Sequence, residues 1–127
     1  MTDSANKIKA AAIHFLQLTA VGNVNEAYYL YVDPEFRHHN MHFKGDAESL
    51  KTAMIESAVY LPAKQLEIRF AIAEGNMVAV YSKVVVSPGE PGIALVHFFR
   101  FHDDKIAELW DIAQAPEDEI INENGLF

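Results

Sequence analysis

Two ionisable side chains stand inside apolar runs near the C-terminal end of the chain, His97 in IALVHFFRF and Asp111 in KIAELWDIA. A carboxylate or an imidazole in so apolar a stretch has to be paired, exposed or used. Their chemistry would be proton transfer. A carboxylate in an apolar pocket has its charged form disfavoured, so its pKa rises towards the range where it takes and returns a proton near neutral pH. Abstraction of a proton α to a carbonyl leaves an enolate, which needs hydrogen-bond donors at its oxygen. His97, His39 and Asn40 have the groups to supply them, with Asp111 as the general base.

Partnership between His97 and Asp111 depends on register. The two runs flank the polar turn HDD and read as an antiparallel hairpin. A plain two-residue loop at Asp103 and Asp104 pairs Phe101 with Ile106 and His97 with Trp110, which leaves Asp111 on the opposite face. A three-residue loop or a bulge shifts the register by one and brings His97, Phe99, Leu109 and Asp111 onto one face. Neither aspartate is glycine, so a turn with two positive φ angles is not the obvious choice, and the sequence leans towards the shifted register. Arg100 and Glu108 are the other charges in these runs. The bland alternatives are an Asp111 paired with Arg100 and a His97 that is a hydrogen-bonded core histidine. Trp110, next to Asp111, should face away from it.

The elements that would position this pair come from the preceding chain. Ser4 to Ala20 places Ile8, Ala11, Ala12, Phe15, Leu16 and Thr19 at helical spacing, with Ser4 as N-cap and Gly22 as the stop. Asn23 or Asn25 can cap a second, short helix through Tyr28, Tyr29 and Leu30, stopped by Asp33-Pro34. Glu35 to Lys44 is extended or looped and carries His38, His39 and His42. A metal site here would need a helix to align His38 with His42, and Pro34 and Gly45 argue against one, so no metal is expected. Asp46 caps a third helix with Leu50, Ala53, Met54 and Ser57 on one side, ending near Tyr60-Leu61-Pro62.

From Lys64 the period becomes alternating, with Leu66, Ile68, Phe70 and Ile72 on one face of a half-exposed strand. Glu74-Gly75-Asn76 turns the chain into a valine-rich strand, Met77 to Ser87. SPGEPG, at residues 87–92, is a loop within the sheet rather than a domain linker. The final Leu-Phe could tuck against the body or a partner subunit. Three helices followed by four or so strands make an α+β domain, with helices segregated onto one face of an antiparallel sheet. Strands apolar on both faces need a second cover, which suggests a homodimer through the sheet. A sheet that curls around the helices would enclose a blind apolar pocket for a small apolar molecule, with Phe15, Met54, Phe99 and Leu109 as candidate lining.

Bulk properties exclude other functions. The 127 residues fit a single domain spanning 1–127 and hold no cysteine, which removes disulfides, thiolate metal sites and cysteine nucleophiles and suits a reducing, cytoplasmic setting. Eighteen acidic against ten basic residues give a formal charge of −8, so nucleic acid is not an expected partner. No apolar run approaches the length needed to span a bilayer, and no export signal stands at the N-terminus. There is no phosphate-binding glycine loop or serine elbow.

The segments FRHHNMHFKGDAESL, IALVHFFRFHDDKIAELWDIAQAPED and NENGLF resemble the SnoaL-like group of the NTF2-like superfamily over nearly the whole chain. That resemblance implies a cone of curved antiparallel sheet closed by three N-terminal helices, usually dimeric, with a pocket inside. Cyclases of the group close polyketide rings by an intramolecular aldol reaction without cofactor or metal. Their acid-base aspartate resembles Asp111 of the ELWD motif and their histidine resembles His97, while His39-Asn40 is closer to uncharacterised members than to the cyclases. A cofactor-independent isomerase, cyclase, dehydratase or aldol-type enzyme acting on an apolar carbonyl compound is the expectation. A noncatalytic ligand-binding or scaffold domain of the same fold is the alternative.

Overall fold

In the computed structural model, which describes residues 2–127, three helices pack on one face of a five-stranded sheet. Helix α1 spans Thr2–Ala20, α2 Val24–Tyr31 and α3 Ala47–Tyr60. Strand β1 spans Val32–His38, β2 Gln65–Glu74, β3 Met77–Val85, β4 Ile93–His102 and β5 Lys105–Gln114. The sheet order is β1-β5-β4-β3-β2, antiparallel from β5 to β2, with β1 parallel to β5 at one edge. The class is α+β, as expected. Strand β1 is the addition: it begins at Val32 and runs through Asp33-Pro34, the point at which the sequence only stopped a helix. Proline is tolerated there because the strand is at the edge of the sheet, with one side free of ladder partners.

Helix boundaries follow local chemistry. The α1 helix starts two residues before Ser4, so Ser4 is not its cap. Gly22 closes it at φ +92°, a conformation that costs a side-chain-bearing residue about 1 kcal/mol. Asn23 is the N-cap residue of α2 but its side chain makes no capping bond. Asp46 does cap α3, accepting from the Ser49 N–H at 3.0 Å and from the Ser49 hydroxyl at 2.7 Å.

The core lies between the helices and the inner face of the sheet. Phe15 of α1 meets Phe99 of β4 edge-on at 6.0 Å and Tyr28 of α2 at 5.7 Å, all buried. Removing a ring this enclosed from water stabilises by roughly 2–3 kcal/mol. On the outer face the tail folds back: the Tyr81 hydroxyl donates to the Leu126 carbonyl, and Phe127 packs on Tyr81 under the Lys83 ammonium.

Two bulges decide which side chains face inward. In β2 a register shift between Ile68 and Phe70 leaves Arg69 extra, so Leu66 and Ile68 point to the core while Phe70 and Ile72 point outward, 56% and 61% exposed. The single apolar face expected for Leu66, Ile68, Phe70 and Ile72 is therefore split. A bulge adds one residue, and every later side chain changes sides.

The second bulge is in the β4–β5 hairpin. Phe101 pairs with Ile106 across a tight turn whose central residues, Asp103 and Asp104, both take positive φ, +49° and +64°. That is the two-residue turn the aspartates had argued against. Aspartate tolerates the left-handed region better than most residues, because its short side chain hydrogen-bonds locally. Ala107 is then the extra residue, so that Arg100 pairs with Glu108, Phe99 with Leu109 and His97 with Asp111.

Candidate functional site

The bulge at Ala107 places His97 and Asp111 directly opposite each other on the inner face of neighbouring strands, where facing Cβ atoms lie about 4.5–5.5 Å apart. Both line a cavity of about 260 Å³ between the sheet, α1 and α3. The helices contribute Leu16, Thr19, Leu50, Ala53, Met54 and Ser57, and the strands contribute Leu66, Val84 and Leu95. The face expected for α3, Leu50, Ala53, Met54 and Ser57, is thus the wall of the cavity.

A short loop completes the site. After β1 the chain turns sharply and comes back to a single antiparallel bridge between Arg37 and Asp46. Gly45 lies alongside His38, its carbonyl accepting from the His38 N–H at 3.1 Å. Within the loop the Asn40 Oδ1 accepts from the His42 N–H at 2.9 Å, and the Asn40 N–H donates to His38 Nδ1 at 3.1 Å. The first of these bonds fixes which way the amide points. Asn40 Nδ2 therefore donates to Asp111, 3.1 Å from Oδ2 and 3.3 Å from Oδ1.

His38 and His97 are both buried, with different outcomes. His38 is satisfied at both nitrogens, Nδ1 by Asn40 and Nε2 by the Lys44 carbonyl, so Nε2 carries the proton. His97 Nδ1 is buried with no hydrogen-bond partner among the described residues. Burial pushes the His97 pKa down to about 4, against the opposing pull of Asp111, so the ring is neutral at physiological pH. A neutral imidazole carries one N–H donor and one acceptor nitrogen, and the His97 ring that carries them lines the cavity, while its orphaned Nδ1 costs about 1–3 kcal/mol.

Other residues singled out in the sequence lie elsewhere. His39 is on the outer face, stacked on Trp110 with ring centroids 5.1 Å apart and bonded through Nε2 to Glu108 at 2.6 Å. The structure does not bring it to His97 and Asp111: it follows directly on β1, where the chain is still extended and bonds the Leu109 carbonyl, so it takes the face opposite to the buried His38. Phe15, Phe99 and Leu109 are packed in the core rather than lining the cavity, the two phenylalanines ring against ring. Among the described residues no group of three histidines, cysteines or carboxylates is close enough together to hold a metal ion. Arg100 is engaged by Glu108 at 3.0 Å and leaves Asp111 alone.

Sequence reasoning missed Lys64, Phe43 and Leu95. Lys64 reads as the first residue of a strand, and nothing local shows that the turn from α3 into β2 aims it at the cavity. Its Nζ donates to Ser57 Oγ at 3.0 Å, and burial lowers its pKa.

No family model and no curated protein matches the chain. Solved structures do. AclR of Streptomyces galilaeus, described as a candidate hydroxylase, superposes with a TM-score of 0.74 at 21% identity, over 87% of this chain and 90% of its own. IdmH of Streptomyces antibioticus, described as a candidate polyketide cyclase, gives 0.68 at 14% identity, over 84% and 91%. An NTF2-like protein of unknown function from Cytophaga hutchinsonii gives 0.68 at 14% identity, over 84% and 89%. No helix of the described chain is long and apolar enough to cross a membrane. Three helices on a curved, unclosed sheet, matched over most of their length by these structures, give this chain the NTF2-like fold that its sequence resembles.

Proposed function

We propose that the protein is an acid-base catalyst acting on a small apolar carbonyl compound held in the cavity, with Asp111 as the general base and His97 as the donor to the carbonyl oxygen. The observation that carries this reading is the pairing of His97 and Asp111 across β4 and β5 at the wall of an apolar cavity. An Asp111 oxygen takes the proton α to the carbonyl. The C–H electron pair moves into the enolate, and its oxygen accepts a hydrogen bond from the neutral His97 ring. Return of the proton to another carbon isomerises the compound. Attack of the enolate carbon on a second carbonyl forms a C–C bond and gives an aldol closure. Asn40 holds the carboxylate towards the cavity and leaves it lone pairs for the substrate. The reading uses only side chains of this chain, and the candidate cyclase and hydroxylase descriptions of its structural neighbours support the choice of enzyme over scaffold.

The test is exchange of the α-protons of β-tetralone in heavy water, followed by proton NMR. The wild-type protein should accelerate exchange over buffer, and Asp111→Asn should remove the acceleration while the folded spectrum persists. No acceleration by the wild type, or equal acceleration by the variant, would sink the reading. The proposal includes a homodimer through the outer face of the sheet, supported by the exposure of Phe70, Ile72 and Ile112 there. Sedimentation equilibrium showing a monomer at micromolar concentration would remove that part.

A further inference from the structure

Lys64 stands at the other end of the cavity from Asp111. Asp111 belongs to β5, Lys64 leads into β2, and those strands are three spacings apart in the sheet, roughly 14 Å. Between them the cavity wall is apolar, formed by Leu95, Val84 and Leu66. With His97 neutral, the Lys64 ammonium is the one cation among the described lining residues.

That ammonium is short of partners. It is half-buried and bonds the Ser57 hydroxyl, while none of the ion pairs among the described residues includes it. An ammonium has three N–H donors, so two remain for a ligand. Thr19, the other hydroxyl of the lining from α1, cannot help to hold a ligand oxygen by donation, because its proton goes to the Leu16 carbonyl at 3.1 Å. A partly desolvated cation beside apolar surface is stabilised by an anion more than by anything else. An anion at the opposite end would meet the Asp111 carboxylate and be repelled.

We propose that Lys64 is an anchor for an anionic group, a carboxylate in its simplest form, at the end of the substrate remote from the reacting carbonyl. The substrate class is then an elongated, mostly apolar oxo acid rather than a neutral ketone. The inference rests on the acid-base reading of the same cavity and adds polarity to it: the anion at Lys64 orients the molecule so that its carbonyl meets His97 and Asp111. Burial of Lys64, which lowers its pKa, agrees with a site built to gain a negative partner. The overall charge of −8 offers such a ligand no long-range attraction, so the selectivity is that of a local contact.

The test is isothermal titration calorimetry with naphthoate and with its uncharged isostere naphthamide. The wild type should bind naphthoate about tenfold more tightly, the scale of one charge-assisted hydrogen bond. Lys64→Met should abolish that preference and leave naphthamide binding intact, which also shows that the variant is folded, while Lys64→Arg should keep a preference. Equal wild-type affinities, or a preference that survives in Lys64→Met, would overturn the anchor without touching the catalytic pair. Binding of neither compound by the wild type would overturn both the anchor and the cavity reading. Loss of the preference in Lys64→Met together with undiminished exchange activity in Asp111→Asn would keep the anchor and discard the base.

Discussion

Glu108 and Asp111 are three residues apart on β5, and the fold gives them opposite environments. Glu108 faces outward yet is enclosed, its oxygens bonded by His39 at 2.6 Å, Arg100 at 3.0 Å and Arg37 at 3.1 Å. Those donors, the His39 hydrogen bond foremost, hold its pKa down at about 2. Asp111 faces inward and among the described residues has one side-chain donor, the Asn40 amide, beside an imidazole whose Nδ1 has no partner there. A carboxylate saturated with charged donors is committed to the fold. One with spare lone pairs at a cavity wall is available to a ligand.

The contrast is broken most severely by exchanging what each carboxylate does. Asp111→Asn is expected to lower α-proton exchange by about 100-fold or more while changing stability by less than about 1 kcal/mol, measured by NMR exchange rates and urea unfolding. Glu108→Ala reverses the pattern: it leaves two guanidiniums and His39 facing one another. Breaking a fully buried pair costs about 3–5 kcal/mol, but the Arg37 side chain is 66% exposed and that of His39 47%, so about 2 kcal/mol is expected here, with exchange activity unchanged. Equal effects of both substitutions on stability would dissolve the distinction.

Acid unfolding sharpens the comparison. His97 has a pKa of about 4 when folded against an ordinary 6.5, so the unfolded chain binds its proton first. Its contribution to stability is intact above pH 6.5 and is lost as pH falls towards 4. Glu108, depressed from 4.5 to about 2, contributes stability that is intact above pH 4.5 and disappears below it. The urea midpoint of the wild type should therefore fall in both windows. His97→Gln should flatten the upper limb and retain the lower one, and a variant that retains both limbs would show that His97 does not titrate as a buried neutral group. The smallest expected effect is at the hairpin tip, where Asp104→Gly relieves a positive φ and gives up only an exposed bond to Lys7. A net gain of about 0.5 kcal/mol is expected in urea unfolding, with His97 still opposite Asp111.

Much of the fold was legible. The helical spacing of Ile8 to Thr19, the Asp46 cap and the alternation of the later strands are local signals that tertiary packing had no reason to override. The bulges were not. At Arg69 the alternation continued on paper through Leu66, Ile68, Phe70 and Ile72 although the chain changes sides, because an extra residue carries no signature when its neighbours are apolar on both faces. At Ala107 the same event was anticipated only as one of two registers.

The site divides along the same line. Residue types marked His97 and Asp111, since ionisable groups amid apolar residues are rare enough to stand out, and Asn40 as an amide able to donate and accept in a histidine-rich loop. His39 stood out equally, and its neighbour His38 would have been as good a guess, because adjacent residues of an extended segment differ only in the face they take. What the amino-acid order determined was the α+β pattern, the helix faces and the presence of a few chemical groups in an apolar setting. Which of those groups meet was decided by tertiary structure alone: the bulge at Ala107 sets the phase of β5, the turn at residues 39–45 delivers Asn40, and the α3–β2 connection aims Lys64. Each places side chains through backbone geometry that many sequences share, so side-chain identity could not report it.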